Sequence, residues 1–243
     1  MALRRLAGAV QFLTVIPLPV RGATPGASAP FYPIVGAALG AAGAVILELL
    51  TPAVSRELAA ALVLIFWAYL TGALHEDGLA DCFDAFRKGR PADKVHAILK
   101  DSRIGAFGAL ALILAILLRW QALVQLMPPT LPAMVAAGAL SRAAVVALAW
   151  TSRPAGTGTA MTFAAQLTTP AALSAIFFGL AAAALCPFRL AWSAVSMTVL
   201  LVFAARKFFQ ARIGGVTGDG LGALSLVTES AILVLASCRP CSW

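Results

Sequence analysis

Seven long apolar runs divide the chain and leave few folds open to it. They cover residues 33–50, 57–74, 104–127, 131–150, 171–186, 190–205 and 221–237. The hydrocarbon core of a bilayer takes about 20 apolar residues per helix, with a range of about 17–25. The runs are continuous rather than alternating, so they predict helices and not barrel strands. Pro52, Pro128, Pro129, Pro154, Pro170 and Pro187 stand at their ends, where a missing N–H is tolerated. Residues 3–15 are too few to span and predict an interfacial or re-entrant helix. Composition agrees. Of 243 residues, 61% are hydrophobic and 12% are charged, where a soluble domain has about 45–50% and about 25%. A water-soluble enzyme, a disordered chain and a nucleic-acid-binding domain are thereby excluded. The expected fold is all-α, a polytopic integral membrane helical bundle of about seven transmembrane helices forming one domain over residues 1–243.

The net charge of +8 then has a topological meaning, because basic loops stay on the cytoplasmic side. With seven spans, 13 Lys and Arg fall on one side, including Arg4, Arg5, Arg87, Lys88, Lys100, Arg103 and Arg212. Four fall on the other: Arg56, Arg119, Arg189 and Arg239. The N-terminus and the polar loops 75–103 and 206–220 are expected to be cytoplasmic. The four cysteines form no paired metal spacing. Cys238 and Cys241 make one C-x-x-C without a second pair or a nearby histidine.

Ten acidic residues are present, and six lie between Glu76 and Asp101. On a helix, Asp77, Asp81 and Asp84 share one stripe, since i, i+4 and i+7 share a face. Three like charges repel one another, and a divalent cation removes that cost. Mg²⁺ takes oxygen ligands, keeps waters and bridges one or two carboxylates to phosphates. The stripe therefore predicts a metal–diphosphate site; a solvated amphipathic helix is the blander alternative. Lys100 and Arg103 flank Asp101 just before a helix expected from about Ile104, whose free N–H groups suit phosphate. Ser102 is placed to cap that helix, and Gly105 and Gly108 permit close approach. The stretch 214–222 holds five glycines around Thr217 and Asp219. Arg142 and Glu229 fall within spans, where ionisable groups are functional candidates or partners of each other. His75 is a candidate base.

The segments His75-Glu76-Asp77-Gly78-Leu79-Ala80-Asp81-x-x-Asp84 and Lys100-Asp101-Ser102-Arg103-Ile104-Gly105-x-Phe107-Gly108 together resemble the cobalamin synthase family. Smaller pieces agree in order. They are Phe12-Leu13-Thr14, Ile16-Pro17, Tyr32-Pro33-Ile34-Val35-Gly36, Ser141-Arg142, and Gly214-Gly215-x-Thr217-Gly218-Asp219-x-Leu221-Gly222-Ala223 followed by Glu229. Ala85, Val216 and Leu226 depart from the expected pattern. The resemblance implies transfer of the cobinamide-phosphate group of adenosylcobinamide-GDP to α-ribazole or its 5′-phosphate, with release of GMP. It implies a Mg²⁺ cofactor and a bacterial inner-membrane location. His75, Asp77, Asp81, Lys100, Asp101 and Arg103 are then the expected catalytic residues, and Asp77, Asp81, Asp84 and Asp219 the metal ligands. Lys100, Ser102, Arg103, Gly105, Arg142, Thr217 and Gly218 are expected to bind substrate. Frequent small residues on the spans permit close helix packing within one protomer or between protomers of a homo-oligomer. The rival readings are another diphosphate transferase, of CDP-alcohol phosphotransferase or prenyltransferase type, and a corrinoid or cation transporter.

Overall fold

The computed structural model describes residues 1–19, 22–101, 103–155 and 159–238. These residues form helices joined by short turns, with one isolated parallel bridge between Pro154 and Val216. The N-terminal helix α1 (Ala2–Leu13) leads through the short α2 (Pro25–Ser28) into α3 (Tyr32–Leu50). Then come α4 (Arg56–Thr71), α5 (Leu74–Ala85), α6 (Ala92–Ile98), α7 (Ala106–Gln125) and α8 (Leu131–Thr151). The chain closes with α9 (Thr159–Gln166), α10 (Thr169–Ala183), α11 (Phe188–Ile213) and α12 (Gly218–Ser237).

Each apolar run is mostly helical, as its length and continuity demand, and the polytopic helical membrane bundle stands. The span count changes. Among the described residues, five segments are long and apolar enough to cross a membrane: Pro25–Leu50, α7, α8, α11 and α12. A sixth qualifies only if α4 and α5 are joined, and they are bent by 89°. The bend has a local cause. Gly72 and Ala73 both adopt left-handed backbone, with φ of 61° and 54°, and end α4 after 16 residues. We therefore treat α5 as lying outside the five spans. The helix α10 is also short, at 15 residues.

Two polar regions expected as loops are mostly helix. Residues 75–85 belong to α5, and α11 runs on to Ile213, so only a tight turn at 214–217 remains of the second. There Gly214 takes a left-handed conformation (φ 73°) and caps α11. Val216 donates to the Arg153 carbonyl at 2.8 Å, and Ala155 donates to the Val216 carbonyl at 2.9 Å.

The core centres on α8, which is almost wholly buried among α3, α10, α11 and α12. Small residues bring it close to α3. A Cβ on Gly36 would strike the Gly138 backbone, and one on Gly138 would strike Gly36. Close packing through glycine is the membrane solution to helix association, where lipid offers no hydrophobic driving force. Gly36 and Gly138 serve such a contact between α3 and α8.

Candidate active site

The site begins at the crossing of α5 over the first turn of α12. Gly78 permits it: a Cβ there would lie 2.8 Å from the Asp219 carbonyl oxygen. Gly222 faces the Leu74–Gly78 stretch from the other helix. Thr217 caps α12 by accepting from the Gly220 N–H at 3.2 Å, and Asp219 occupies that helix's first turn. The crossing gathers carboxylates. Burial first, and then the charges of Asp77, Asp219 and Asp84, push the Asp81 carboxyl up to about 6. Among the described residues no Lys or Arg pairs with any of these four.

Asp84 is the member of the stripe already engaged by protein. Its carboxylate accepts the Gly105 N–H at 2.6 Å and the Gly108 N–H at 3.0 Å. It thus caps α7 from another helix, satisfying N–H groups that begin a helix without partners. This changes the expected phosphate site. The helix starts at Ala106 rather than near Ile104, its N-cap is Gly105, and a carboxylate fills part of its N-terminus. Gly105 and Gly108 are needed because a Cβ on either would strike Asp84. Ser102 lies outside the described residues. Lys100 and Asp101 precede the helix, and the exposed Arg103 clasps Asp101, with Nε at 3.0 Å and Nη2 at 2.6 Å. That clasp holds the Asp101 carboxyl down to about 2.

Beside the unpaired carboxylates lies a cavity of about 130 Å³. Its polar side is His75, Asp77, Gly218 and Asp219, and its apolar side includes Phe12, Tyr32 and Phe163. Pieces of sequence from residue 12 to residue 222 converge here, each from a different helix. His75 is buried. Burial, reinforced by the Arg142 and Arg119 guanidiniums, holds its imidazole down to about 3, so the ring is neutral near pH 7. Phe163, on α9, belongs to none of the motifs read from the sequence. It sits in an ordinary apolar helical pattern and carried no signal.

Arg142 goes elsewhere. It pairs with Glu229 and reaches the Ser141 hydroxyl at 2.9 Å, with its side chain only 4% exposed. The same Glu229 accepts from Arg119 at 2.6 Å, and Arg119 reaches Glu76 at 2.9 Å. Four charges from α5, α7, α8 and α12 thus neutralise one another inside the bundle. Arg119, expected on the opposite membrane side from the basic loops, is instead a buried cross-link. The sequence signal was available: an arginine well inside an apolar run needs an acidic partner.

Comparison with known proteins places the chain. The family described as Cobalamin-5-phosphate synthase matches residues 5–237. The chain belongs to this family. An adenosylcobinamide-GDP ribazoletransferase of Ralstonia nicotianae is 40% identical over 248 residues, covering 96% of this chain and 94% of that protein. One of Mesorhizobium japonicum is 36% identical, covering 93% and 90%. One of Chlorobaculum tepidum is 37% identical, covering 96% and 94%. No solved structure matches the chain. The cavity of this cobalamin-5-phosphate synthase relative is therefore walled mainly by the pieces that carried the family resemblance.

Proposed function

We propose that the chain is an adenosylcobinamide-GDP ribazoletransferase of the bacterial inner membrane, acting at the last step of cobalamin synthesis. The convergence of distant motif pieces on one acidic cavity carries this reading. A ribose hydroxyl oxygen of α-ribazole, or of its 5′-phosphate, attacks the cobinamide-side phosphorus. The bond from that phosphorus to the oxygen of GMP breaks, and GMP leaves with the bond's electron pair. Such a transfer needs positioning and charge neutralisation more than covalent participation by the protein.

Asp77, Asp81 and Asp219 are the oxygen donors left without a cation, and they suit Mg²⁺. No three-residue cage forms among the described residues. That fits the habit of this ion, which takes one or two carboxylates and completes its shell with water and substrate phosphate. When bound, Mg²⁺ neutralises diphosphate charge and favours in-line displacement. Asp84 holds α5 to the start of α7 and so keeps its neighbours in place. Lys100 and Arg103 stand ready for phosphate, Arg103 by exchanging Asp101 for substrate oxygens. Neutral His75, or one of the carboxylates, accepts the proton of the attacking hydroxyl.

With the short apolar helices α4 and α10 also crossing beside the five longer ones, the bias of basic residues supports a cytoplasmic N-terminus and a cytoplasmic active face. Arg212, at the end of α11, donates to the Arg87 carbonyl at 2.8 Å, joining the two basic segments on one side of the bundle. The transporter reading loses its main support, since Arg142 and Glu229 satisfy each other. The test is an assay of purified protein with adenosylcobinamide-GDP, α-ribazole and Mg²⁺. Corrinoid product and GMP should appear together in equal amounts and disappear with chelator. GMP release that does not depend on α-ribazole would overturn the assignment.

A further inference from the structure

Away from the carboxylates the cavity changes character. Phe12 from the end of α1, Tyr32 from the start of α3 and Phe163 from α9 form one column. Their ring centroids are 5.5 and 5.6 Å apart, and each pair is within 8° of parallel. Tyr32 and Phe163 are 0% and 3% exposed. The Tyr32 hydroxyl already donates to the Pro25 carbonyl at 3.2 Å, so its donor is spent. Leu13, Val145 and Leu221 complete an apolar wall. An apolar cavity of about 150 Å³ holds one benzene. With about 130 Å³ in the whole cavity, the recess admits the edge of one flat ring and excludes a corrin macrocycle.

We infer that the recess is the subsite for the base of the α-ribazole nucleoside, and that Phe163 sets which bases fit. The inference rests on the transfer proposed above. That reaction brings three flat heterocycles to the site: the benzimidazole-type base of the incoming nucleoside, the guanine of the leaving group and the adenine of the adenosyl group, whose amine and ring nitrogens would be stranded in an apolar recess as guanine's polar edge would. Guanine carries a carbonyl, a ring N–H and an amine along one edge. Buried against Phe163, Val145 and Leu221, those groups would lose water without gaining partners. The outer ring of a benzimidazole presents only carbon along its edge, so it enters without that loss. Insertion edge-first leaves the ribose at the mouth, beside Asp77 and Asp219, where its hydroxyl must meet the phosphorus. Aromatic walls hold such a ring by offset stacking and edge contacts. Substituents on the outer ring then point at the column, and the volume at Phe163 decides whether they are accepted.

The experiment uses the full chain in detergent or nanodiscs and measures KM for each substrate separately. Phe163→Ala should raise KM for α-ribazole about tenfold while KM for adenosylcobinamide-GDP stays within about twofold. Phe163→Trp narrows the recess and should shift kcat/KM about tenfold toward a ribazole analogue lacking substituents on its outer ring. Phe12→Ala alters the same column at a residue that is 36% exposed, and it serves if Phe163→Ala fails to fold. A rise confined to KM for adenosylcobinamide-GDP would put guanine or adenine in the recess and overturn the inference. Unchanged KM for both substrates in folded variants, or an equal fall in kcat alone, would overturn it as well. These outcomes leave the reaction itself standing. A wild-type protein that transfers nothing to α-ribazole would instead sink the proposed function.

Discussion

Glu76 and Asp77 are neighbours on α5, yet they belong to opposite kinds of site. Glu76 turns inward to Arg119 and joins the quartet closed by Glu229 and Arg142. Asp77 turns toward the cavity, where it shares a field with Asp81 and Asp219 and meets no cation among the described residues. Inside the quartet two carboxylates face two guanidiniums, and the charge is balanced by the chain. At the cavity, carboxylate stands against carboxylate. A buried charge whose partner is supplied in the sequence holds helices together; a cluster left unbalanced is poised for a partner from outside. We propose the diphosphate chemistry for the place where that balance is missing.

The sharpest way to break this contrast is Asp81→Asn, and it carries the largest expected effect. Transfer should be abolished while the protein still inserts and folds. Stability should not suffer. A carboxyl raised from 3.8 to about 6 binds its proton more tightly when folded. Its ionisation therefore costs stability as pH rises through that window, and the cost is fully present above about 6. Asn cannot ionise, so the variant should lose that slope in an unfolding-temperature series between pH 4 and 7. For the wild type, cation binding should weaken as pH falls through about 6, giving transfer an acid limb there. Retained activity in Asp81→Asn would sink its role.

Glu229→Ala tests the other region and should do the reverse. It strips both Arg119 and Arg142 of their carboxylate. Removing one partner of a buried charge network costs about 3–5 kcal/mol, readable as a fall in unfolding temperature or a lower denaturant midpoint. Activity should fall with the folded fraction rather than with metal concentration. An equally stable Glu229→Ala protein beside an unfolded Asp81→Asn protein would invert the comparison.

The two regions also differ in how far the sequence exposed them. The apolar runs specify helices because a bilayer leaves the backbone no other way to satisfy itself, and every run is mostly helical here. The span count was less legible, since it turned on two left-handed residues, Gly72 and Ala73, which hydropathy cannot see. The acidic stripe was visible as a period, because Asp77 and Asp81 lie one helical turn apart. Asp84 obeys the same period, but its engagement depends on where α7 begins, a tertiary fact. The quartet was half legible. Glu229 and Arg142 pair on the rule that buried charges seek partners, whereas counting basic residues by side puts Arg119 at a membrane surface. Phe163 was invisible, because an aromatic on an apolar helix face becomes a wall only once α1 and α3 are packed beside it.

Arg103 provides the smallest expected effect and separates a third kind of charge, paired but solvated. Its side chain is 87% exposed, so its clasp on Asp101 is screened by water and contributes little to stability. Arg103→Ala should leave the unfolding temperature unchanged. If the guanidinium meets substrate phosphate during transfer, kcat/KM should drop by about tenfold or more, as the loss of one charge-assisted hydrogen bond does. The pH profile distinguishes this from an effect on the carboxylates. Asp101 is held down to about 2 by its partner, so whatever stability the clasp gives is present above the unfolded value of 3.8 and lost as pH falls through about 2. It cannot produce an acid limb near 6. Arg103→Ala should therefore lower the rate at every pH and leave that limb in place, and a limb that moved with Arg103 would assign it to this clasp rather than to Asp81.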